Sequence, residues 1–353
     1  MQKNDTPFLV RNDLLLEQLV LIDGQAGCGK TLFTAIVAAM DRVELLNYSS
    51  ELENICALDY LNKASKDAVE SMIRIQMDLI IYETMMSRRV NIRPGDLSSI
   101  FRDVDVWSYL RRILSKGNED IPSLIKKEKP ILHFATHNLL AFSSPIFSSL
   151  GDKVTMIEIV RHPLYMLIQQ TLNQINFNKH VGTARQFHPY IKCGNQQVPF
   201  WNYGQEELYL NSNPVERAIY EMKKLTELTE NAKKQKLVRG DRMLTIPFEL
   251  FVLDPWPYLS MIEGLLGSKI TNKTKKIVKK QNVPRKKVSD GIPLTIYKRC
   301  GWEKPVVGFN ERDELNKRRE YAVIQGASDK AIDILDEISA KYEEEYLQGV
   351  FND

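Results

Sequence analysis

The sequence predicts an α/β fold, a parallel sheet flanked by helices and interrupted by a helical insertion. Three observations carry this expectation. The apolar run "LVLID" leads into the glycine-rich turn "GQAGCGKT" (24–31), and "KTLFTAIVAAM" then reads as a helix. Two later runs, "KPILHFAT" (129–136) and "DKVTMIEIVRHP" (152–163), have the apolar density of strands buried on both faces, and each ends in polar residues. Helical patterns separate the runs, as parallel crossovers require.

The elements follow in order. Residues 19–23 read as the first strand, and "RVELLNY" (42–48) as the second. From about 50 to 125 the pattern is mostly helical, for example "AVESMIRIQMDLIIYETMM", broken by the turn "NIRPGD" (91–96). This predicts a helical insertion on the α/β core. After the strand at 152–163, Pro163 sits in the first turn of a helix. Residues 177–212 are polar, aromatic and irregular, and so long a connector points to function. "NPVERAIYEMKKLTELTENAKK" is a helix with proline in its opening turn. "MLTIPFELFVLDPWPYLSMIEGLLG" reads as strand, turn, helix and glycine stop. A basic loop spans about 268–291, with nine Lys or Arg and no acid from Lys269 to Lys287. An amphipathic helix covers about 328–348. The whole chain reads as one domain.

Bulk composition narrows the class. The 353 residues are 43% apolar and 26% charged, which suits a globular protein. A net charge of +3 gives no ground for a nucleic-acid binder. Four cysteines without a CxxC pair argue against a zinc site or a disulfide scaffold and fit a reducing compartment. The first residues, "MQKNDTPFLVRNDLLLEQ", break their apolar positions with charges, unlike a signal peptide. No run of about 18 uncharged apolar residues predicts a membrane span. The expectation is a cytoplasmic protein, its oligomeric state open.

The turn carries the first chemical reading. A GxxxxGK[ST] segment between strand and helix is the P-loop, or Walker A, pattern of P-loop NTPase-like folds. Gly24, Gly27 and Gly29 allow backbone conformations that turn N–H groups inward, and the helix start presents its positive end to an anion. The loop from Gly24 through Gln25, Ala26, Cys28 and Lys30 to Thr31 and Leu32 is therefore a candidate phosphate site. Lys30 reaches terminal phosphate oxygens, and Thr31 offers a hydroxyl to phosphate or Mg²⁺. An ordinary NTPase also needs a carboxylate at the end of another strand to hold Mg²⁺. No clean case exists: Glu158 and Glu249 lie within their apolar segments, and the strand at 152–163 ends "VRHP" instead.

The order of these parts resembles the sulfotransferase family, which shares the P-loop fold. "GCGKT" stands where that family has Ser-Gly-Thr-Thr or Ser-Gly-Thr-Ser. "PILHFATHNLL" resembles the strand ending in the family's Lys-Thr-His, with Ala135 in place of its lysine, then Thr136 and His137. "KVTMIEIVRHPLYM" resembles the Arg-Asn-Pro segment that binds a 3′-phosphate, which places Arg161 on that phosphate. The family's serine eight residues later is Gln169 here, with Thr171 nearby. "LTIPFELFVLDPWPYLSMIEGLLG" resembles the Tyr-Glu-Asp-Leu segment, with Phe248 and Glu249 replacing Tyr-Glu. "PRKKVSDG" stands for the late basic loop, through Arg285 and Lys286. The ordered set runs from about residue 17 to 290.

The resemblance implies transfer of a sulfuryl group from 3′-phosphoadenosine 5′-phosphosulfate to a hydroxyl or amine of an unidentified acceptor, a saccharide or small molecule. It implies Lys30 and His137 as catalytic groups, Arg161, Gln169, Arg285 and Lys286 beside the loop as donor-binding groups, and no metal. The intact GxxxxGKT keeps an ATP–Mg-dependent small-molecule kinase in play, with Arg161 and Arg185 as lid cations, and so does a non-catalytic nucleotide-binding regulator. Read without the resemblance, His133 is a buried strand residue and His162 shapes a turn. His180 and His188 are equally acceptor contacts or plain surface. Phe187, Tyr190, Phe200, Trp201 and Tyr203 form a stacking wall or pin their loop to the core.

Overall fold

The computed structural model describes residues 7–102, 106–114, 120–180, 187–235, 242–293 and 295–348. Seven strands are described: β1 (Gln18–Asp23), β2 (Val43–Asn47), β3 (Ile131–Ala135), β4 (Val154–Val160), β5 (Tyr190–Cys193), β6 (Gln196–Pro199) and β7 (Met243–Pro247). Five of them form one parallel sheet in the order β2-β3-β1-β4-β7, so the fold is α/β with β1 at its centre. Chain order leaves β1 toward β2 and β3 on one side and toward β4 and β7 on the other. The crevice at the carboxyl ends of β1, β3 and β4 is thus a switch point, where such sheets bind ligands.

The helices between β1 and β3 are α1 (Lys30–Val37), α2 (Ser50–Tyr60), α3 (Lys66–Met85), α4 (Val106–Leu114) and α5 (Ile121–Glu128). Then come α6 (Ser144–Leu150), α7 (Pro163–His180), α8 (Glu206–Asn211) and α9 (Pro214–Lys234). After β7 follow α10 (Phe248–Leu253), α11 (Trp256–Leu266), α12 (Asn272–Lys280), α13 (Thr295–Arg299), α14 (Glu311–Ile324) and α15 (Asp329–Tyr346). Local chemistry sets several boundaries. Asn213 caps α9 by accepting from Val215 N and Glu216 N, Pro214 opens the helix, and Glu216 reaches back to Asn213 N. In α3, Val69, Ile73, Met77, Ile80 and Ile81 fall on one stripe and are buried.

Strand pleating divides the core in two. Leu19 and Leu21 of β1 face one side with Leu132, Phe134 and Met156, covered by α2, α3, α5 and α6. Val20 and Ile22 face the other with Ile157, Ile159 and Ile246, against α1, α7, α9, α10, α11 and the C-terminal helices.

Two segments differ from their sequence reading. The stretch 177–212 is not irregular: α7 runs on through His180, β5 and β6 form an antiparallel hairpin around Gly194, and α8 follows. Each strand of the hairpin has only four residues, and only Val198 and Pro199 are buried, which is too short a run of apolar alternation to mark it. The basic stretch 268–291 contains α12 and is not a loop throughout; Thr271 caps that helix by accepting from Lys273 N and Thr274 N. Arg185 and the rest of 181–186 lie outside the described residues. No described helix is long and apolar enough to cross a membrane.

Candidate functional site

β1 stops at Asp23, and the chain turns through Gly24 into α1. Only glycine fits at two points of the turn. Gly24 has φ +141°, and a Cβ there would lie 2.3 Å from Ile159 O. Gly29 has φ +103°, and its Cβ would lie 2.3 Å from two carbons of the Phe248 ring. The loop carbonyls are held from outside. Gly27 O accepts from Arg161 Nη1 at 2.9 Å, and Ala26 O from Gln170 Nε2 at 2.9 Å. Lys30 Nζ donates to Gly24 O and, at 3.1 Å, to Gln25 O. The Gln25 side chain anchors to Met222 O and Thr226 Oγ1 on α9. Carbonyls fixed outward leave the first N–H groups of α1 for an anion.

A cavity of about 350 Å³ opens before the turn. It brings together Gln25, Ala26, Gly27, Gly29, Lys30, Thr31 and Leu32 of the loop with His137, Arg161, Gln169 and Arg285. Gly24 lies outside it and borders a second, smaller cavity, while Cys28 is buried under the turn, where burial raises its thiol pKa. Lys286 does not belong to the cavity: its side chain is exposed and only its neighbour Arg285 lines the wall. Thr171 is also removed from consideration, because it is buried and donates to Leu167 O within α7.

Arg161 and Arg285 share one aromatic ring. Their guanidinium carbons lie 4.3 and 5.4 Å from the Phe248 centroid. Arg161 donates to Gly27 O, and Arg285 to Asn282 O and Val288 O. Among the described residues neither forms a salt bridge, and Arg161 Nε is buried without a partner. Burial, followed by the charge of Arg161, brings Arg285 down to about 10, and burial lowers Arg161 as well. The nearby acids are engaged elsewhere. Glu158 accepts from Thr245 Oγ1 at 2.7 Å and pairs with Lys233 at 2.6 Å, so it is not the partner of Arg161. Glu249 accepts from His162 N at 3.0 Å and Tyr342 Oη at 2.6 Å. The result is a cationic, half-buried corner beside the glycine turn.

His137 stands just past β3 with its side chain 55% exposed. Glu53 of α2 accepts from its backbone N–H at 2.9 Å and sits 3.2 Å from Nδ1. With Nδ1–H donating to Glu53, Nε2 keeps its lone pair and can take a proton. Thr136, beside it, donates to Asp23 Oδ1 at 2.8 Å. Asp23 is buried and also accepts from Leu139 N and Leu140 N at 3.0 and 2.8 Å. Its carboxylate locks the ends of β1 and β3 together.

Several site residues were not visible in the sequence. Glu53 meets His137 across 84 positions, with no local pattern to announce it. Tyr297, Trp302, Ser289 and Arg318 also line the cavity. Trp302 packs on Gly291, whose Cβ would come within 3.0 Å of its Nε1. Ser289 N and Oγ donate to Glu311, as does Tyr165 Oη, which ties the segment after Arg285 to α7 and α14. Of the histidines set aside, His133 is fully buried, and His162 is buried with Nδ1 accepting from Leu164 N. Phe177, His188, Tyr190 and Trp201 pack as a cluster of rings near the hairpin.

No protein-family model and no curated protein matches the chain. Similar solved structures include the sulfotransferase domain of the Synechococcus PCC 7002 olefin synthase, at 14% identity and TM-score 0.39, covering 90% of this chain and 98% of that one. The sulfotransferase domain of the curacin biosynthetic pathway matches at 11% identity and TM-score 0.40, over 87% and 98% of the two chains. A sulfotransferase from Mycobacterium avium matches at 11% identity and TM-score 0.38, over 94% and 77%.

Proposed function

We propose that this chain is a sulfotransferase that uses 3′-phosphoadenosine 5′-phosphosulfate to sulfate a hydroxyl or amine of an acceptor. One observation carries the reading: Arg161 and Arg285 are two half-buried guanidiniums over the Phe248 ring, beside the glycine turn, and among the described residues neither is in a salt bridge. An anion placed there relieves their repulsion and their desolvation. The turn itself takes another phosphate. A donor charged at both ends of its ribose satisfies both places. The partnerless Arg161 Nε fits such a ligand.

When bound, the donor supplies an activated sulfuryl group on a phosphate leaving group. The chain's own residues do the rest. The loop N–H groups and Lys30 hold the 5′ end, and Lys30 neutralises charge on the departing phosphate oxygen. Arg161 and Arg285, with Gln169 on the same wall, hold the 3′-phosphate. Tyr297 and Trp302 offer rings for the adenine. His137 Nε2 takes the acceptor's proton, and Glu53 holds the imidazole and balances the charge it gains.

The test is a thermal shift comparing adenosine 3′,5′-bisphosphate with ATP–Mg²⁺. The bisphosphate is expected to stabilise the fold, by about 2.7 kcal/mol at a hundred times its Kd. Stabilisation by ATP–Mg²⁺ alone would refute the proposal. A specific feature favours that second reading, an ATP-dependent kinase: Thr31 completes the GxxxxGKT pattern with a hydroxyl suited to Mg²⁺. Against it, Thr136 and His137 follow β3 where a metal-binding carboxylate would be needed, and Asp23 is fully engaged.

A further inference from the structure

The strongest concentration of charge in the chain lies outside the cavity. Between Gly267 and Asp290 there are eight lysines, one arginine and no acid, although the whole chain is only +3. The rest of the protein, with 39 Lys or Arg against 45 acids, is therefore net acidic. Helix α12 organises the basic stretch. Thr274 and Val278 are buried, and Thr271 Oγ1 and Thr274 Oγ1 both donate to Ala39 O, fixing the helix against the end of α1. That anchoring turns Lys275, Lys276, Lys279 and Lys280 outward, where all four are exposed. Among the described residues none of these four pairs with a carboxylate.

A lysine face alone would be an ordinary solvated surface. What lies beside it is not ordinary. Ile277, Lys280 and Gln281 line a groove together with Leu97, Ser99 and Leu45 of β2. Leu97 and Ser99 belong to the lobe that carries α4. Tyr109 and Arg112 of α4 turn inward to Glu44 of β2, at 2.9 and 2.8 Å. This anchorage leaves Trp107, Leu110 and Leu114 on the outer face, with Trp107 73% and Leu114 82% exposed. Residues spaced by three and four form one stripe along a helix, and Arg111 flanks it, exposed. A Trp–Leu–Leu stripe left to water next to a lysine helix calls for a partner that is both anionic and apolar.

We propose that this edge of the molecule docks on an anionic lipid bilayer, with the lysines of α12 against the headgroups and the α4 stripe in the interfacial layer. Lysine suits that partner, since compact point charges match a diffuse sheet of phosphate and carboxylate. The described part of α12 has no aromatic side chain for stacking a base, which separates this surface from a nucleic-acid groove. Tryptophan is the residue whose ring rests at the headgroup level. The inference does not rest on the nucleotide reading, and its test needs no nucleotide.

The experiment is co-sedimentation of the full chain with vesicles of phosphatidylcholine alone or with about 30% phosphatidylserine, at low salt and at about 0.5 M salt. Binding is expected only to the serine-containing vesicles and is expected to vanish at high salt. Lys275→Gln, Lys276→Gln, Lys279→Gln and Lys280→Gln combined should weaken it at least about tenfold, since each lysine near such a surface is worth roughly fivefold. Trp107→Ser with Leu114→Ser should weaken it several-fold while keeping the salt dependence. Equal binding to both vesicle types, or unchanged binding in the lysine variant with its circular dichroism intact, would overturn the proposal. So would tighter, lysine-dependent binding of a single-stranded oligonucleotide at the same salt with no binding to vesicles.

Discussion

One carboxylate oxygen of Glu53 serves His137 twice, accepting from its backbone N–H at 2.9 Å and standing 3.2 Å from Nδ1. The first contact fixes where β3 delivers the residue; the second fixes how its ring is turned. If His137 is the base, His137→Ala should lower kcat by about a hundredfold or more with nucleotide affinity unchanged. Glu53→Gln should act through His137: about a tenfold loss in kcat with no change in nucleotide Kd, and no further loss when combined with His137→Ala. A Glu53→Gln enzyme with wild-type rate would show that the pair only fastens α2 to the sheet.

The fit between Gly29 and Phe248 leads to a stability prediction. Gly29→Ala adds a Cβ at φ +103° and drives it into the ring that also supports Arg161 and Arg285. Left-handed strain of about 1–2 kcal/mol and overpacking of about 1–3 kcal/mol both oppose the fold. Denaturant titration should show a loss of about 2–5 kcal/mol. Adding Phe248→Leu should recover the overpacking part but not the strain. An additive double variant, with no recovery, would mean that the ring does not occupy the place assigned to it.

How much of this was legible beforehand depends on where the constraint lies. Strands β1 to β4 were visible because each is short, apolar and buried on both faces; β4, for example, is Val154–Val160 within the run 152–163. The phosphate turn was visible because its chemistry requires fixed spacing in a single segment. Features built by distant residues were not. Glu53 and His137 carry no mutual signal, and the two guanidiniums come from segments 124 positions apart, brought to one ring only by the packing of α10 against α1. Lys286 was misplaced because adjacent residues of an irregular segment leave the backbone in different directions. A basic pair therefore does not act as a pair, and Arg285 alone reaches the cavity.

The cationic corner predicts a selective effect on ligands. Arg285→Ala should weaken adenosine 3′,5′-bisphosphate about ten- to a hundredfold and leave 5′-AMP within about threefold, because the lost bond is charge-assisted and serves only the 3′ end. Arg161→Ala should cost the bisphosphate at least as much and weaken 5′-AMP as well, since the same guanidinium holds Gly27 O of the turn. The double variant should fall short of the product of the two, since both guanidiniums serve one anion. Isothermal titration of the two nucleotides measures this; equal losses for both ligands in Arg285→Ala would place that guanidinium elsewhere on the nucleotide.

His133 supplies a prediction in pH. It lies on β3, fully buried, and burial pushes its imidazole down to about 4 against a smaller upward pull from the backbone of Glu44. The unfolded chain binds this proton below its ordinary 6.5, while the folded one does so only near 4. Stability from this site is therefore complete above pH 6.5 and is lost as pH falls toward 4. Glu221 runs oppositely. Burial raises its carboxyl to about 7 despite donors from Asn202, Trp201 and Gln174, so its contribution falls as pH rises from 4.5 to 7. The wild-type profile mixes both, and a difference between variants isolates one. His133→Phe removes the titrating group and keeps an aromatic ring in the core. Its stability relative to wild type should be about 2 kcal/mol more favourable at pH 5 than at pH 7. Urea titrations of the two proteins at both pH values measure that difference, and an equal gap at pH 5 and pH 7 would show that His133 is protonated as readily in the folded chain as in the unfolded one.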